Sequence, residues 1–462
     1  MQLTRTNSFF LLLGIMAIIF YGLFGLKAEP HLPLLSSLIV LALFARVKGM
    51  KWDELEEGIL DGLRQSLKPI IILALIGMLI ATWMVSGTIP TVLYYGIQWI
   101  DPTFVLMSSL FITTLTSILT GSSFTAVSTV GVAMMGIALA FDIHPALAAG
   151  AIICGAMFGD KMSPLSDTTN FASGIASVDI ITHIRHMIGT TIPSYALTCI
   201  LFFLFEKNVS SAGTIKELES IVTALEQQFH IHLLTLLPPM LLIILAIRRT
   251  PTVISLFAGI FAGIIVAFLT QANVSLAGMM TILQHGPTFE TGNALVDKIV
   301  NRGGLQSMMW AISLIMIAFS LSGVMNKIGL IEALLSNLAK KVRSRGHLVS
   351  ATAASSIGVN LLTGEQYLSI LLPGQSFRTL YENMNVERKT LARTLEDAGT
   401  LINPLVPWGV CGAFFASTLG VDVIEYIPYT FFLYLSPLFS ILFAYLPMKN
   451  ITKQGTSTNT AA

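Results

Sequence analysis

The chain is laid out in long apolar blocks, at 7–26, 33–46, 69–86, 145–160, 187–205, 232–247, 251–270, 304–323, 395–419 and 428–447. Each predicts a membrane helix, although several fall short of the roughly 20 residues that span a hydrocarbon core. The first follows Arg5 and precedes no A-x-A site, so it reads as a membrane helix and not as a signal peptide. Two further segments, 104–140 and 348–378, are apolar but interrupted midway by "LTGSSFTAVS" (119–128) and "LTGEQYLS" (362–369). That pattern predicts two re-entrant hairpins, a form tolerated at membrane depth only where protein or a water-filled cavity covers the loose backbone. Their tips are Thr120, Gly121, Ser122 and Ser123 in the first, and Thr363, Gly364, Glu365 and Gln366 in the second.

Composition agrees with the pattern. Hydrophobic residues make up 54% and charged residues 11%, against about 25% charged in an ordinary soluble domain. The expected fold class is an all-α polytopic membrane protein with about ten transmembrane helices plus the two hairpins. The net charge of +1 and the lack of a basic arm exclude a nucleic-acid partner. Cys154, Cys199 and Cys411 lie in apolar runs without CxxC spacing, which indicates neither a disulfide framework nor a zinc site.

The cations cluster at Arg46, Lys48, Lys51, Arg64 and Lys68, at Arg185, at Arg248 and Arg249, at Lys340, Lys341, Arg343 and Arg345, at Arg378, Arg388, Lys389 and Arg393, and at Lys449 and Lys453. With the expected spans, all of these fall on one face, which the positive-inside rule makes cytoplasmic. Both termini are then inside the cell membrane, the first hairpin enters from outside and the second from inside.

A duplication at a spacing of about 240 residues explains the mirrored hairpins. "GLRQS" (62–66) returns as "GLQS" (304–307), "LTGSS" as "LTGEQ", "SPLSDTTNFASG" as "NPLVPWGVCGAFFAS" (403–417), and "SVDII" (177–181) as "GVDVI" (420–424). The expected organisation is a first inverted repeat at 7–205, an external linker at 206–230 with a short amphipathic helix, a second inverted repeat at 231–447 and a cytoplasmic polar tail at 448–462. Inverted repeats with broken helices are an architecture of secondary transporters, whose sites lie near the bilayer midplane.

The stretch "GDKMSPLSDTTNFASG" (159–174) falls at that depth. Pro164 lacks an amide hydrogen and disfavours helix before it, so the helix opens around "MSPLSDTT". Hydroxyls, carboxylates and freed carbonyls there suit a small hard cation such as Na⁺. An idle charge at the bilayer centre costs about 2.5–3.5 kcal/mol on the insertion scale.

"GDKMSPLSDTTN" and the later "EDAGTLINPLVPW" (396–408) resemble the NhaC-type Na⁺/H⁺ antiporters, a family that includes malate/lactate exchangers. The hairpin tips and broken helices are more distantly similar to INDY-type dicarboxylate transporters, whose tips read SNT where these read TGSS and TGEQ. The resemblance implies Na⁺/H⁺ exchange by alternating access, Na⁺ and H⁺ as cargo, no cofactor and no enzymatic activity.

Burial raises a carboxyl pKa, so one carboxylate can trade Na⁺ for protons. Asp167 is the first candidate, with Ser163, Thr168, Thr169 and Asn170 around it, and Asp160 is the second. Lys161 reads as the counter-ion of Asp160, as the group that displaces the cation, or as an anion-binding residue. Glu365 is a third candidate for proton work. Thr400 and Asn403 face the site by repeat symmetry, while Glu396 and Asp397 line an access path nearer the cytoplasm. Each has a structural reading too: an Asp160–Lys161 ion pair, and Asp167 as a helix cap. His183 and His186 read as interfacial.

Intramembrane proteases lack support, since the chain reads "MFGD" where an aspartyl enzyme has GxGD and "FASG" where a rhomboid-like enzyme has GxSG, and it has no HExxH. A channel would also use hairpins and polar rings, and an organic-acid exchanger is the alternative within transporters. Partners are the bilayer, the two cargo ions, an organic acid under that alternative, and a second copy if the chain forms a homodimer.

Overall fold

The computed structural model describes residues 5–208, 215–271, 274–339 and 342–446, and no strand occurs among them. The all-α class holds. Lys340, Lys341, Lys449, Lys453 and the tail 448–462 lie outside the described residues. Among the described residues six helices are long and apolar enough to cross a bilayer, or up to nine if each of three strongly bent pairs is one span. Four helices escape the hydropathy reading because they are short: Thr88–Trp99, Leu276–His285, Ala294–Val300 and Leu330–Ala339. The amphipathic helix expected within 206–230 is Ile215–Gln228.

Two helices from opposite halves form the scaffold, Trp52–Val85 and Met309–Lys327. Small residues let their backbones touch. A Cβ on Gly62 would lie 2.0 Å from the Phe319 carbonyl oxygen, and one on Gly77 would lie 2.5 Å from that of Gly304. Gly304 N donates to Gly77 O at 2.7 Å. Without a hydrophobic driving force between helices in lipid, such close approach supplies dispersion contacts that larger side chains would prevent. Gly62→Ala is therefore expected to push the helices apart at a cost of about 1–3 kcal/mol. Thermal unfolding in detergent should show the drop, with Gly14→Ala, which meets nothing within 4 Å, as the silent control.

Each segment expected as a re-entrant hairpin is a helix, a tip and a helix, and in the first both arms, Pro102–Thr120 and Ser123–Ala140, are each long and apolar enough to cross a bilayer. The first runs Val105–Thr120, then Ser123–Ala126, a π turn at Val127–Gly131, and Val132–Ala140. The second runs Arg345–Thr363 and Gln366–Asn383. Both tips turn on a left-handed glycine, Gly121 at φ 67 and Gly364 at φ 66, a conformation that L side chains avoid.

The broken helices run beneath the tips. Pro145–Met162 stops before Pro164, and the chain resumes as Asp167–Ala176, so the break expected around "MSPLSDTT" is present. In the second half Arg388–Leu395 continues through a π turn, Glu396–Thr400, and a 3-10 turn, Asn403–Leu405, before Val410–Leu419. Each tip glycine abuts the break of its own half. A Cβ on Gly121 would meet Leu165 C at 2.6 Å, and one on Gly364 would meet Trp408 O at 2.7 Å.

Candidate functional site

The two tips and the first break enclose a cavity of about 680 Å³. Thr120, Gly121, Ser122, Asp160, Thr168, Glu365 and Gln366 line it, and Lys68, Asp167, Asn170 and Arg249 belong to the same lining.

Asp160 is a buried carboxylate in this wall, 7% exposed, as Glu365 is at 8%. Its Oδ2 accepts from Ser123 N at 3.0 Å and from Ser123 Oγ at 2.6 Å. The break directs it there: residues 159–162 end the helix, and the outgoing arm of the first hairpin starts beside them. Glu365 caps the other tip, its Oε2 accepting from Leu368 N at 2.5 Å. In the first tip Ser122 does the same job, its Oγ accepting from Thr125 N at 3.2 Å.

Asp167, the first choice from sequence, is not buried. Its side chain is 68% exposed and stands 3.9 Å from Lys68. Nor is it the helix cap, which is Ser166, whose Oγ accepts from Thr169 N at 3.3 Å. The carboxylate begins the returning half-helix at the open side of the cavity.

Lys161 does not pair with Asp160. It is fully buried and its Nζ donates to Asp397 Oδ1 at 2.5 Å, joining the two broken helices. Asp397 also accepts from Ser436 Oγ at 2.6 Å and Thr190 Oγ1 at 3.4 Å. Glu396 reinforces the junction, with Oε1 3.2 Å from Thr168 Oγ1 and 3.4 Å from Thr169 Oγ1. Both carboxylates have 0% exposure, so they do not line an access path near the surface. The neighbouring cations suggested a surface segment, but Arg393 is itself only 5% exposed.

Several expected ligand oxygens are committed to holding the fold. Ser163 Oγ donates to Ile118 O at 2.8 Å and accepts from Leu165 N. Asn403 Nδ2 donates to Asn360 Oδ1 and Gly364 O, while its Oδ1 accepts from Cys411 N at 2.8 Å. Ser163 and Asn403 thus fasten equivalent places, each tying a break to the hairpin above it. Thr363 Oγ1 donates to Val359 O at 2.8 Å, and Asn170 Nδ2 ties Pro164 O and Ser166 O. Thr400 lies close by: its carbonyl accepts from Gln366 Nε2 at 3.0 Å. Sequence reasoning missed Lys68 and Arg249 in the cavity wall, and no motif marked them.

Among the described residues no cluster of three His, Cys, Asp or Glu side chains forms a metal centre. What the cavity offers is two buried carboxylates, Asp160 at the break and Glu365 at a tip, with hydroxyl and carbonyl oxygens, a donor set that suits a hard monovalent cation as cargo.

His183 is packed wholly inside the protein, with 0% exposure.

Residues 155–448 match the model of the Na⁺/H⁺ antiporter family. The Na⁺/H⁺ antiporter NhaC of Alkalihalophilus pseudofirmus is 57% identical over 437 residues, covering 94% of each chain. That of Bacillus subtilis is 52% identical over 446 residues, 96% of this chain and 98% of the relative. The malate-2H⁺/Na⁺-lactate antiporter of Bacillus subtilis is 31% identical over 402 residues, 86% of this chain and 85% of that one. With a family match over more than half its length and relatives aligned nearly end to end, the chain belongs to the Na⁺/H⁺ antiporter family.

Proposed function

We propose that this membrane protein exchanges Na⁺ for H⁺ by alternating access, with Asp160 as the carboxylate that the two ions share. The observation that carries the reading is Asp160 itself, buried in the wall of a cavity between two hairpin tips. A lone carboxylate moved through hydrocarbon is costly, about 2.5–3.5 kcal/mol on the insertion scale. Bound Na⁺ or a bound proton removes that charge, so the site crosses when loaded with either and resists crossing when empty. Competition for one carboxylate then yields exchange instead of leak.

Hydroxyls of Ser122, Thr125 and Thr168 and the Gln366 amide share the cavity with Asp160 and supply further oxygens. Asp167 serves as a first contact for Na⁺, partly offset by Lys68. The two halves, 7–205 and 231–447, act as inverted repeats. The support is their paired details: the tip glycines, the caps Ser122 and Glu365, the fasteners Ser163 and Asn403, and the reciprocal contacts of Gly62 with Phe319 and Gly77 with Gly304. Lys68 and Arg249 give the cavity a cytoplasmic mouth by the positive-inside rule, with both termini on that side.

A second reading, organic-acid exchange, has its own support. About 680 Å³ exceeds what Na⁺ needs and falls in the range of small-molecule sites, and two cations line it. Everted vesicles from cells lacking other antiporters, acidified inside by respiration, separate the two. Proton efflux on adding Na⁺ alone is the expected result. Vesicles that stay silent with Na⁺ but respond when malate or lactate is supplied would shift the assignment to the second reading.

A further inference from the structure

Away from the cavity, on the far side of the broken helices, buried polar atoms gather without protein partners. They sit between four packed helices: Ile180–Asn208, Arg345–Thr363, Arg388–Leu395 with its π turn, and Phe431–Tyr445. His183 is 0% exposed, and neither ring nitrogen has a hydrogen-bond partner among the described residues. Arg393, 5% exposed, leaves Nε and Nη2 unpartnered. Thr191, Ser355, Ser356 and Ser440 add buried hydroxyls in the same condition. An unmade hydrogen bond in a buried site costs about 1–3 kcal/mol, more for a charged group. So many orphans on one set of helices call for a common occupant, and small polar sites of this kind hold water.

Three of the unpartnered groups, His183, Arg393 and Glu396, also lie along a run of polar side chains. His186 Nε2 lies 3.4 Å from Thr390 Oγ1 at the half-buried end of the group. His183 comes next, one turn away on the same helix and within electrostatic reach of Arg393. Thr190, two turns past His183, touches Asp397, which holds Lys161. Adjacent Glu396 has one oxygen without a partner, while the other meets Thr168 in the cavity wall.

We infer that these groups enclose a hydrated seam that carries protons between the protein face near His186 and Glu396 at the back of the cavity, with His183 as the relay. This rests on the proposed exchange for its purpose, since a second way in would let a proton approach the shared site from behind while Na⁺ uses the cavity mouth. Imidazole suits the role because its two nitrogens can take up a proton on one side and release it on the other. The charged or titratable groups facing His183 are Lys161 from the first broken helix, Asp397 and Arg393 from the second, and His186 from its own helix. Lys389, Glu387, Arg393 and Arg345 surround His186.

Two measurements on the full-length protein test this. X-ray hydroxyl-radical footprinting marks residues beside bound water, and His183 and Met187, both 0% exposed, should be modified well above equally buried Phe319 once corrected for intrinsic reactivity. Modification no faster than Phe319 would overturn the seam, and that readout does not depend on any transport. In reconstituted vesicles, His183→Gln should lower the maximal proton flux about tenfold or more and change its pH profile. The Na⁺ concentration at half-maximal rate should stay within about twofold, a split that a general packing defect would not give. A hydrated seam with an unchanged flux and pH profile in His183→Gln would remove the relay. A wild type with no Na⁺-driven flux at all would instead count against the proposed exchange, leaving the footprint to judge the water.

Discussion

Asp160→Asn is expected to lower Na⁺-driven proton efflux about 100-fold or more while leaving folded protein in the membrane. Asparagine keeps the size and still accepts from Ser123, so the outgoing arm of the first hairpin retains its contact. What disappears is the negative charge that the proposed exchange assigns to both cargo ions. Asp160→Glu should retain part of the flux with altered Na⁺ affinity, because the charge stays and its position moves. Asp167→Asn, at an exposed position, should raise the half-saturating Na⁺ concentration only about two- to fivefold, in keeping with the modest worth of surface charges. If Asp160→Asn transported normally and Asp167→Asn did not, the shared carboxylate would be Asp167 after all.

Lys161→Met is expected to destabilise the protein by about 3–5 kcal/mol. Methionine fills much of the lysine's volume, but it leaves Asp397 charged and fully buried with only Ser436 and Thr190 as donors. Removing both charges is a different matter, and Lys161→Met with Asp397→Asn should recover most of the loss, since the asparagine carbonyl still accepts from Ser436. Thermal unfolding of detergent-purified protein, followed by size-exclusion chromatography, measures both. A single variant as stable as the wild type, or a double variant no better than the single, would show that the pair does not clamp the two broken helices together.

The hairpins, their glycine tips and the first break were legible because local rules write them: a TG pair ends a helix, and Pro164 stops one. The short helices Thr88–Trp99 and Leu330–Ala339 were not, because each begins after a left-handed glycine, Gly87 or Gly329, and is too brief to stand out in hydropathy. At the site, sequence located the polar stretch but misread the partners within it. Lys161 lies next to Asp160 in the chain, yet it bonds to a residue from the other half. Consecutive helical residues point about 100° apart, so adjacency along a helix says little about who meets whom. Asp167 was expected to be buried because its stretch falls at membrane depth, but the start of a half-helix exposes one residue beside the buried Thr168 and Thr169.

Ser122 and Glu365 hold matching positions at the two tips, one a hydroxyl and the other a carboxylate. A helix start latched by a hydroxyl is indifferent to protonation, whereas one latched by a carboxylate draws part of its strength from the negative charge. Under the proposed exchange the two tips are similar leaves with unlike latches. Acid reaching the second latch would loosen it and leave the first as it was, so under the proposed alternating access the two tips would answer pH unequally.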